Sequence, residues 1–423
     1  MNRRAVFVGL SILVLLYASP WPAHSQPGPK VGDPGPLPPS PPPQVGSTTQ
    51  TVTINVPINS DVSLVHVGSN DSFAITAEGR QAATLLLNAL EEPDEVKAHE
   101  DAVKASSIYD QIIPRENYGG EYSALQWFAD YIAADPAKRP SFLRDPQVAF
   151  FFHVYGSDNF AVLKEYLFRK YRLREIGDEE TKAGQDRKVW LEDTILFENP
   201  RRESWERSSE LLKRLDVKPG EKIADVGSGP GYFSFRFAKL AGSAGRVYAI
   251  EMNADHLRYI EQAKKAMAVN NVFTVETDGK SVGLAGIQTK VDAIFLCSLY
   301  HNMYAMSTKP ERDSFIASIK ESLTDNGRLF LVDNGLVPPG VLPYHGPYVA
   351  KELIIGQMLN YGFELVKEDQ YIPQRYLLVF KVKKAQVAQD PKNPGAESAT
   401  PKPTEKISPP KKRKSAHARH HRT

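Results

Sequence analysis

The sequence predicts an α/β fold in its second half behind a mostly helical first half. Three observations carry this. An apolar strand runs directly into a glycine-rich turn and a helix, and a second strand follows, which is a βαβ unit. Apolar residues recur at helical spacing through much of residues 77–171. The chain has 423 residues with 41% hydrophobic and 24% charged content, enough for two domains of ordinary size and unlike a fibrous or wholly disordered polypeptide.

Taken in order, the N-terminus reads as an export signal over residues 1–25. Arg3 and Arg4 precede an apolar run from Ala5 to Tyr17, and Ala23-His24-Ser25 places small residues at a cleavage site. The expected location is the periplasm or cell envelope. Residues 26–45 hold a proline-rich linker, with nine prolines among the seventeen positions 27–43. At the other end, residues 385–423 form a basic, Pro/Lys-rich tail that is expected to be disordered and able to touch an anionic surface. Of the formal net charge of +2, this tail contributes +6 and the first 25 residues +2, leaving residues 26–384 at −6. A mildly acidic core argues against stable nucleic-acid binding there. The single cysteine, Cys297, excludes an intramolecular disulfide and a thiolate-cluster metal site.

Residues 46–200 read as a mostly helical N-terminal domain. Thr51 to Val67 alternates apolar and polar positions, as short strands do, and the helical pattern starts at Ala77. Ser157 and Asp158 are placed to cap a helix from Phe160. Phe150, Phe151 and Phe152 are expected to pack in a core rather than hold a ligand. No catalytic constellation is legible in this segment.

Residues 201–384 carry the chemistry. A helix is expected over about Arg202 to Leu215, then the strand Lys222–Val226, the turn Gly227-Ser228-Gly229-Pro230-Gly231 and a helix to Ala241. The glycines let backbone approach a ligand closely, and the helix start offers free N–H groups. The next strand ends in Glu251, where a carboxylate can accept from two ribose hydroxyls. A dinucleotide site wants its third glycine one residue later, where Tyr232 stands. Asp225, two residues before the first glycine, suits a cationic amino group better than a diphosphate.

The run Asp225-Val-Gly227-Ser-Gly229-Pro-Gly231 resembles the first motif of class I S-adenosylmethionine (SAM) dependent methyltransferases. Val272–Gly279 is similar to that family's third strand, with Asp278 at the place of the acid facing the adenine amino group. Val291–His301, Leu323–Asp333, Gly362–Val366 and Tyr376–Val382 follow in the family's order. The resemblance covers about 185 residues. It implies a Rossmann-like, seven-stranded class I methyltransferase sheet with an antiparallel last strand, SAM as cofactor, and cofactor contacts from Asp225, Gly227, Gly229, Gly231, Glu251 and Asp278.

The resemblance also places His301 in the substrate-facing loop, where it is either a catalytic proton acceptor or a structural histidine. The Asn-Pro-Pro-aromatic motif of amide and adenine N-methyltransferases is missing. Asp333-Asn334 is similar to one half of a metal-dependent O-methyltransferase site, but Cys297 and Ser298 stand where a carboxylate is needed, so no metal is expected. The expected function is methyl transfer from SAM to a small organic acceptor. Its rivals are a non-catalytic SAM-fold module docked by the basic tail and a nicotinamide oxidoreductase.

Overall fold

Side-chain alternation along the strands decides the architecture. In the computed structural model, which describes residues 65–66, 76–114, 119–335 and 348–384, successive strand residues face two different apolar cores. Ile223, Val247, Ala293, Phe295, Phe330 and Leu377 face one; Ala224, Tyr248, Ile294, Leu296, Leu331 and Leu378 face the other. A sheet buried on both faces needs helices on both, and the parallel connections supply them.

In chain order, a two-residue strand β1 (Val65–His66) comes first. Five helices follow: α1 (Ala77–Glu91), α2 (Glu95–Ile112), α3 (Gly119–Ala133), α4 (Pro146–Tyr171) and α5 (Lys182–Phe197). Their starts are set by short polar side chains that accept from first-turn amides: Thr76 from Gly79, Asp94 from Val96, Asp145 from Gln147 and Thr181 from Gly184. They bury their own core around Leu86, Tyr109, Phe128, Phe151 and Leu167. The expected break near Ser157 is present. Ser157 is extended, and Asp158, Asn159 and Phe160 are left-handed, so α4 is kinked rather than cleanly restarted.

The sheet domain begins with α6 (Arg202–Glu206) and α7 (Ser208–Leu215), where the sequence suggested one helix. Arg207 between them is left-handed at φ 54°. This turn lets Leu211 and Leu215 pack under the sheet while Arg202, Trp205 and Glu206 point elsewhere. Then come β2 (Lys222–Val226), α8 (Tyr232–Ala241), β3 (Arg246–Glu251), α9 (Ala254–Met267), β4 (Val272–Glu276) and β5 (Val291–Cys297). The chain continues through α10 (Tyr300–Met306), α11 (Lys309–Ser322), β6 (Leu323–Asn334), β7 (Tyr348–Val349), α12 (Lys351–Asn360), β8 (Phe363–Ile372) and β9 (Arg375–Val382).

Seven strands form one sheet in the order β4-β3-β2-β5-β6-β9-β8. Pairings from β4 to β6 are parallel, and β9 is antiparallel to both its neighbours. This is the expected seven-stranded sheet with its antiparallel last strand. β1 pairs with β7 outside it. The helical layer and the sheet are joined by side chains. Phe150 of α4 meets Tyr259 of α9 edge-on at 5.0 Å, and Arg236 of α8 donates to Gln147 of α4 at 2.7 Å. The export signal, the proline-rich linker, most of the alternating stretch 51–67 and the basic tail lie outside the described residues.

Candidate active site

The strand order reverses between β2 and β5, and a crevice opens above the carboxyl ends of strands at such a point. Here it is a cavity of about 400 Å³, within the size range of small-molecule sites. The sheet side of its wall comes from the ends of β2, β3 and β5 and the loop after β4. Much of the remainder comes from α10 and from Asp193 and Phe197 of α5 and Arg202, Trp205 and Glu206 of α6, with further side chains from α8, α9, α11 and β9.

The glycine turn forms the floor. Gly227 and Ser228 donate to the carbonyl of Ile250 at 2.9 and 3.1 Å, tying the turn to β3. Gly229 sits at φ 54°, and a Cβ built on it would meet only Phe197 at 3.7 Å, so its bare face is open to the cavity. Glu251 closes the turn from the other side. Its Oε2 accepts from Gly229 N at 2.9 Å, and its Oε1 accepts from Met252 N and Asn253 N at 2.8 and 3.0 Å. The β3-end carboxylate is thus held in place by three backbone amides, with lone pairs left over for a ligand.

Asp225 is 3% exposed and sits in the wall on the α8 side of the sheet, accepting from Ser234 Oγ at 2.6 Å. Burial pushes its carboxyl up to about 7, against the lowering effect of Ser234 and Arg202. Asp278 is exposed at the rim and accepts from Lys280 N at 2.9 Å. Beside it, Met252 lies against Gly279, where a Cβ would come within 2.6 Å of the Met252 sulfur. Asp225, Gly227, Gly229, Glu251 and Asp278 therefore come together around one cavity.

Two expected site residues are placed differently. Gly231 does not line the cavity; it starts α8, and its Cβ space is closed by Ile260 and Phe235 at 3.0 Å. His301 is 3% exposed and does not line it either. Its Nδ1 lies 2.7 Å from Asp333 Oδ1, and its backbone N–H donates to Asp333 Oδ2 at 3.2 Å. The pair pins the start of α10, whose Asn302, Met303 and Met306 do reach the wall. Its geometry is that of a structural histidine. Asn334, the other half of the Asp-Asn pair, accepts from Arg375 Nη1 at 3.0 Å.

Several wall residues were not foreseen. Glu206, fully buried, accepts from Arg202 Nε and from Arg375 Nη2, the latter at 3.1 Å. Arg375 Nη2 also reaches Cys297 Sγ at 3.0 Å and Ser298 Oγ at 2.9 Å. Burial raises the Cys297 thiol to about 12, so it stays protonated and unreactive. His256 of α9 is 4% exposed and lies 3.8 Å from Asp193; neither ring nitrogen has a hydrogen-bond partner among the described residues. Burial lowers its pKa and keeps it neutral. A sequence signal existed for some of these. Arg202, Trp205 and Glu206 share one helical face just upstream of the glycine turn, and Arg375 opens an otherwise apolar strand.

SAM fits this wall on the molecule's own terms. A bare glycine backbone, a clamped carboxylate at the β3 end and a buried carboxyl beneath the turn face about 400 Å³ of mostly apolar space. Glu251 would hold the ribose, Asp278 the adenine edge and Asp225 the ammonium. When bound, SAM supplies a methyl group on a sulfonium.

Comparison with known proteins agrees. Residues 217–371 match the family described as Methyltransferase domain. The chain is 38% identical over 74 residues to a protein-L-isoaspartate O-methyltransferase of Aeropyrum pernix, covering 18% of this chain and 28% of that one. It is 30% identical over 86 residues to a probable cobalt-precorrin-6B C(15)-methyltransferase (decarboxylating) of Saccharolobus solfataricus, covering 20% and 43%. The chain thus spans less than half the length of these curated relatives. A SAM dependent methyltransferase from Aquifex aeolicus has a similar structure with 19% identity and a TM-score of 0.34, covering 43% of this chain and 92% of that one. Residues 217–371 thus carry the match to a methyltransferase domain, in line with the resemblance of the sequence motifs to class I SAM-dependent methyltransferases.

Proposed function

We propose that this chain transfers the methyl group of SAM to a small organic acceptor inside the cavity. The observation that carries the reading is the wall itself: the cofactor-side residues of the sheet face side chains of α5 and α6 across one space. The helical layer thereby gains a purpose. It covers the crevice with Asp193 and Phe197 of α5, next to Arg202 and Trp205 of α6, which favours an acceptor small enough to be enclosed over a folded protein or duplex. Enclosure excludes water and aligns the acceptor with the methyl carbon, and alignment supplies much of the acceleration of such a transfer. No side chain of this wall is assigned as a general base; Asp225 is shifted toward neutrality and His256 is held neutral by burial.

The test is transfer of tritium from methyl-labelled SAM into an extract separated by ultrafiltration. Label in the low-mass fraction is expected. Label confined to protein or RNA would overturn the acceptor class, and no transfer with no SAM binding would overturn the enzyme.

Export belongs to the same proposal, motivated by the Arg pair, the apolar run and the small-residue site in residues 1–25. Sequencing the N-terminus of protein purified from the native cell checks it, and an intact Met1 on cytoplasmic protein would refute it.

A further inference from the structure

Three of the chain's six methionines, Met252, Met303 and Met306, line the cavity. Two of them are open to solvent: Met252 is 43% exposed and Met306 51%. Met303 and Met306 stand three positions apart on α10, the spacing of neighbours on one helical face. Met303 also packs against an apolar core. Two other methionines are placed differently. Met358 is fully buried, and Met267 is partly buried against a core. Cys297 is no competing sulfur, because its thiol stays protonated. We propose that Met252 and Met306 at the cavity rim are an oxidation site that switches ligand binding. The consequence for binding rests on the SAM reading of the same cavity.

The oxidant is a hydroperoxide. With hydrogen peroxide, the thioether sulfur gives two electrons and an S–O bond forms as the O–O bond breaks. The second oxygen leaves as water with both peroxide protons. A thioether has no proton to lose, so access to the sulfur decides which methionine reacts. The product is a polar side chain where an apolar one stood. At Met252 the sulfur is already against Gly279, where a Cβ would fall 2.6 Å from it. An oxygen added to this sulfur finds that side filled. It either enters the ligand's space or displaces the turn that carries Asp278. Met306 brings the same change to the α10 wall. A ligand that covers a polar group without giving it a hydrogen bond binds less tightly. Reduction by a methionine sulfoxide reductase takes two thiols to a disulfide, releases the oxygen as water and restores the thioether, so the switch is reversible.

The test treats the full chain with stepwise hydrogen peroxide. Peptide mass spectrometry maps the sulfoxides, and calorimetry measures S-adenosylhomocysteine binding at each step. Met252 and Met306 should convert before Met267 and Met358. Affinity should then fall about five- to a hundredfold, the range for covering an unpartnered polar group. Methionine sulfoxide reductase with dithiothreitol should restore it, and bound S-adenosylhomocysteine should slow the oxidation of Met252. The double variant Met252→Leu/Met306→Leu keeps apolar bulk without sulfur. Peroxide should leave its affinity at the variant's own untreated value. Circular dichroism confirms that the variant is folded, and the reductase rescue of the wild-type protein stands without it. Earlier oxidation of Met267 or Met358 would overturn the proposal. So would full conversion of Met252 and Met306 with unchanged affinity, or an equal loss in the double variant. Failure of the untreated protein to bind S-adenosylhomocysteine would instead strike the cofactor reading, while the order of oxidation on the empty protein still decides the oxidation site.

Discussion

Replacing Glu251 by alanine separates two jobs that one carboxylate performs. Toward the cavity it is placed to accept from ribose hydroxyls. Toward the protein it accepts from Gly229, Met252 and Asn253 at 2.8–3.0 Å. A hydrogen bond to a charged partner contributes about 1.5–3 kcal/mol, so SAM affinity should fall roughly ten- to a hundredfold on that account alone. From sequence alone a strand-end carboxylate could be lost with little effect on the empty protein, but the three backbone contacts predict otherwise. Glu251 is half-buried, and water can replace part of what is lost, so the empty variant should lose about 1–3 kcal/mol. For a domain of this size that is several degrees in the melting temperature. Titration calorimetry with SAM, beside melting curves of the empty proteins, measures both. Hydrogen exchange adds a local readout: the Gly229 amide should exchange faster in the variant. A folded Glu251→Ala protein that binds SAM as tightly as wild type would refute the placement of the ribose at this strand end.

Further outcomes follow from the same geometry. Asp225 has a folded-state pKa raised to about 7 by burial, so the folded empty protein holds a proton that the unfolded chain has released. Its contribution to stability is present at low pH and lost as pH rises from about 4 through about 7, and Asp225→Asn should flatten that part of a melting-temperature profile. If the SAM ammonium lies beside Asp225, affinity should rise as pH increases from 5.5 to 7.5, by at most about tenfold per unit below 7; a flat profile would remove Asp225 from the cofactor contacts. Gly229→Val places a branched side chain at φ 54° with its bulk in the cavity, so SAM binding should be lost to calorimetry; Gly229→Ala should be milder, destabilising by about 1 kcal/mol. His256→Leu should leave the fold intact, since no ring nitrogen is hydrogen-bonded among the described residues, and an unchanged SAM affinity would exclude the imidazole from ligand contact. Deleting residues 385–423, beyond the last strand at Val382, should leave SAM affinity unchanged and weaken any salt-sensitive attachment to anionic vesicles; loss of SAM binding on deletion would place the tail in the site.

The sequence by itself determined the sheet and the cofactor half of the candidate site. Strand runs with glycine turns are local signals, and so is a carboxylate two residues before the turn or at the next strand's end. These were legible because each strand's neighbours are set by short, handed connections, so local order dictates spatial order. Tertiary structure decided the rest. Arg207 turned one expected helix into two, through a left-handed residue that no propensity singles out. That break brings Glu206 to Arg375, some 170 positions away, and a contact at that separation leaves no periodic trace in the chain. His301 was read from its place in a loop, but its role depends on where Asp333 sits across the neighbouring strand. Asp333 draws the imidazole down into the α10 contact and leaves Asn302 and Met303 facing the cavity. The helical layer offered no motif at all, because covering a crevice requires shape and apolar bulk rather than any particular residue order, and only packing reveals which of its side chains face the site.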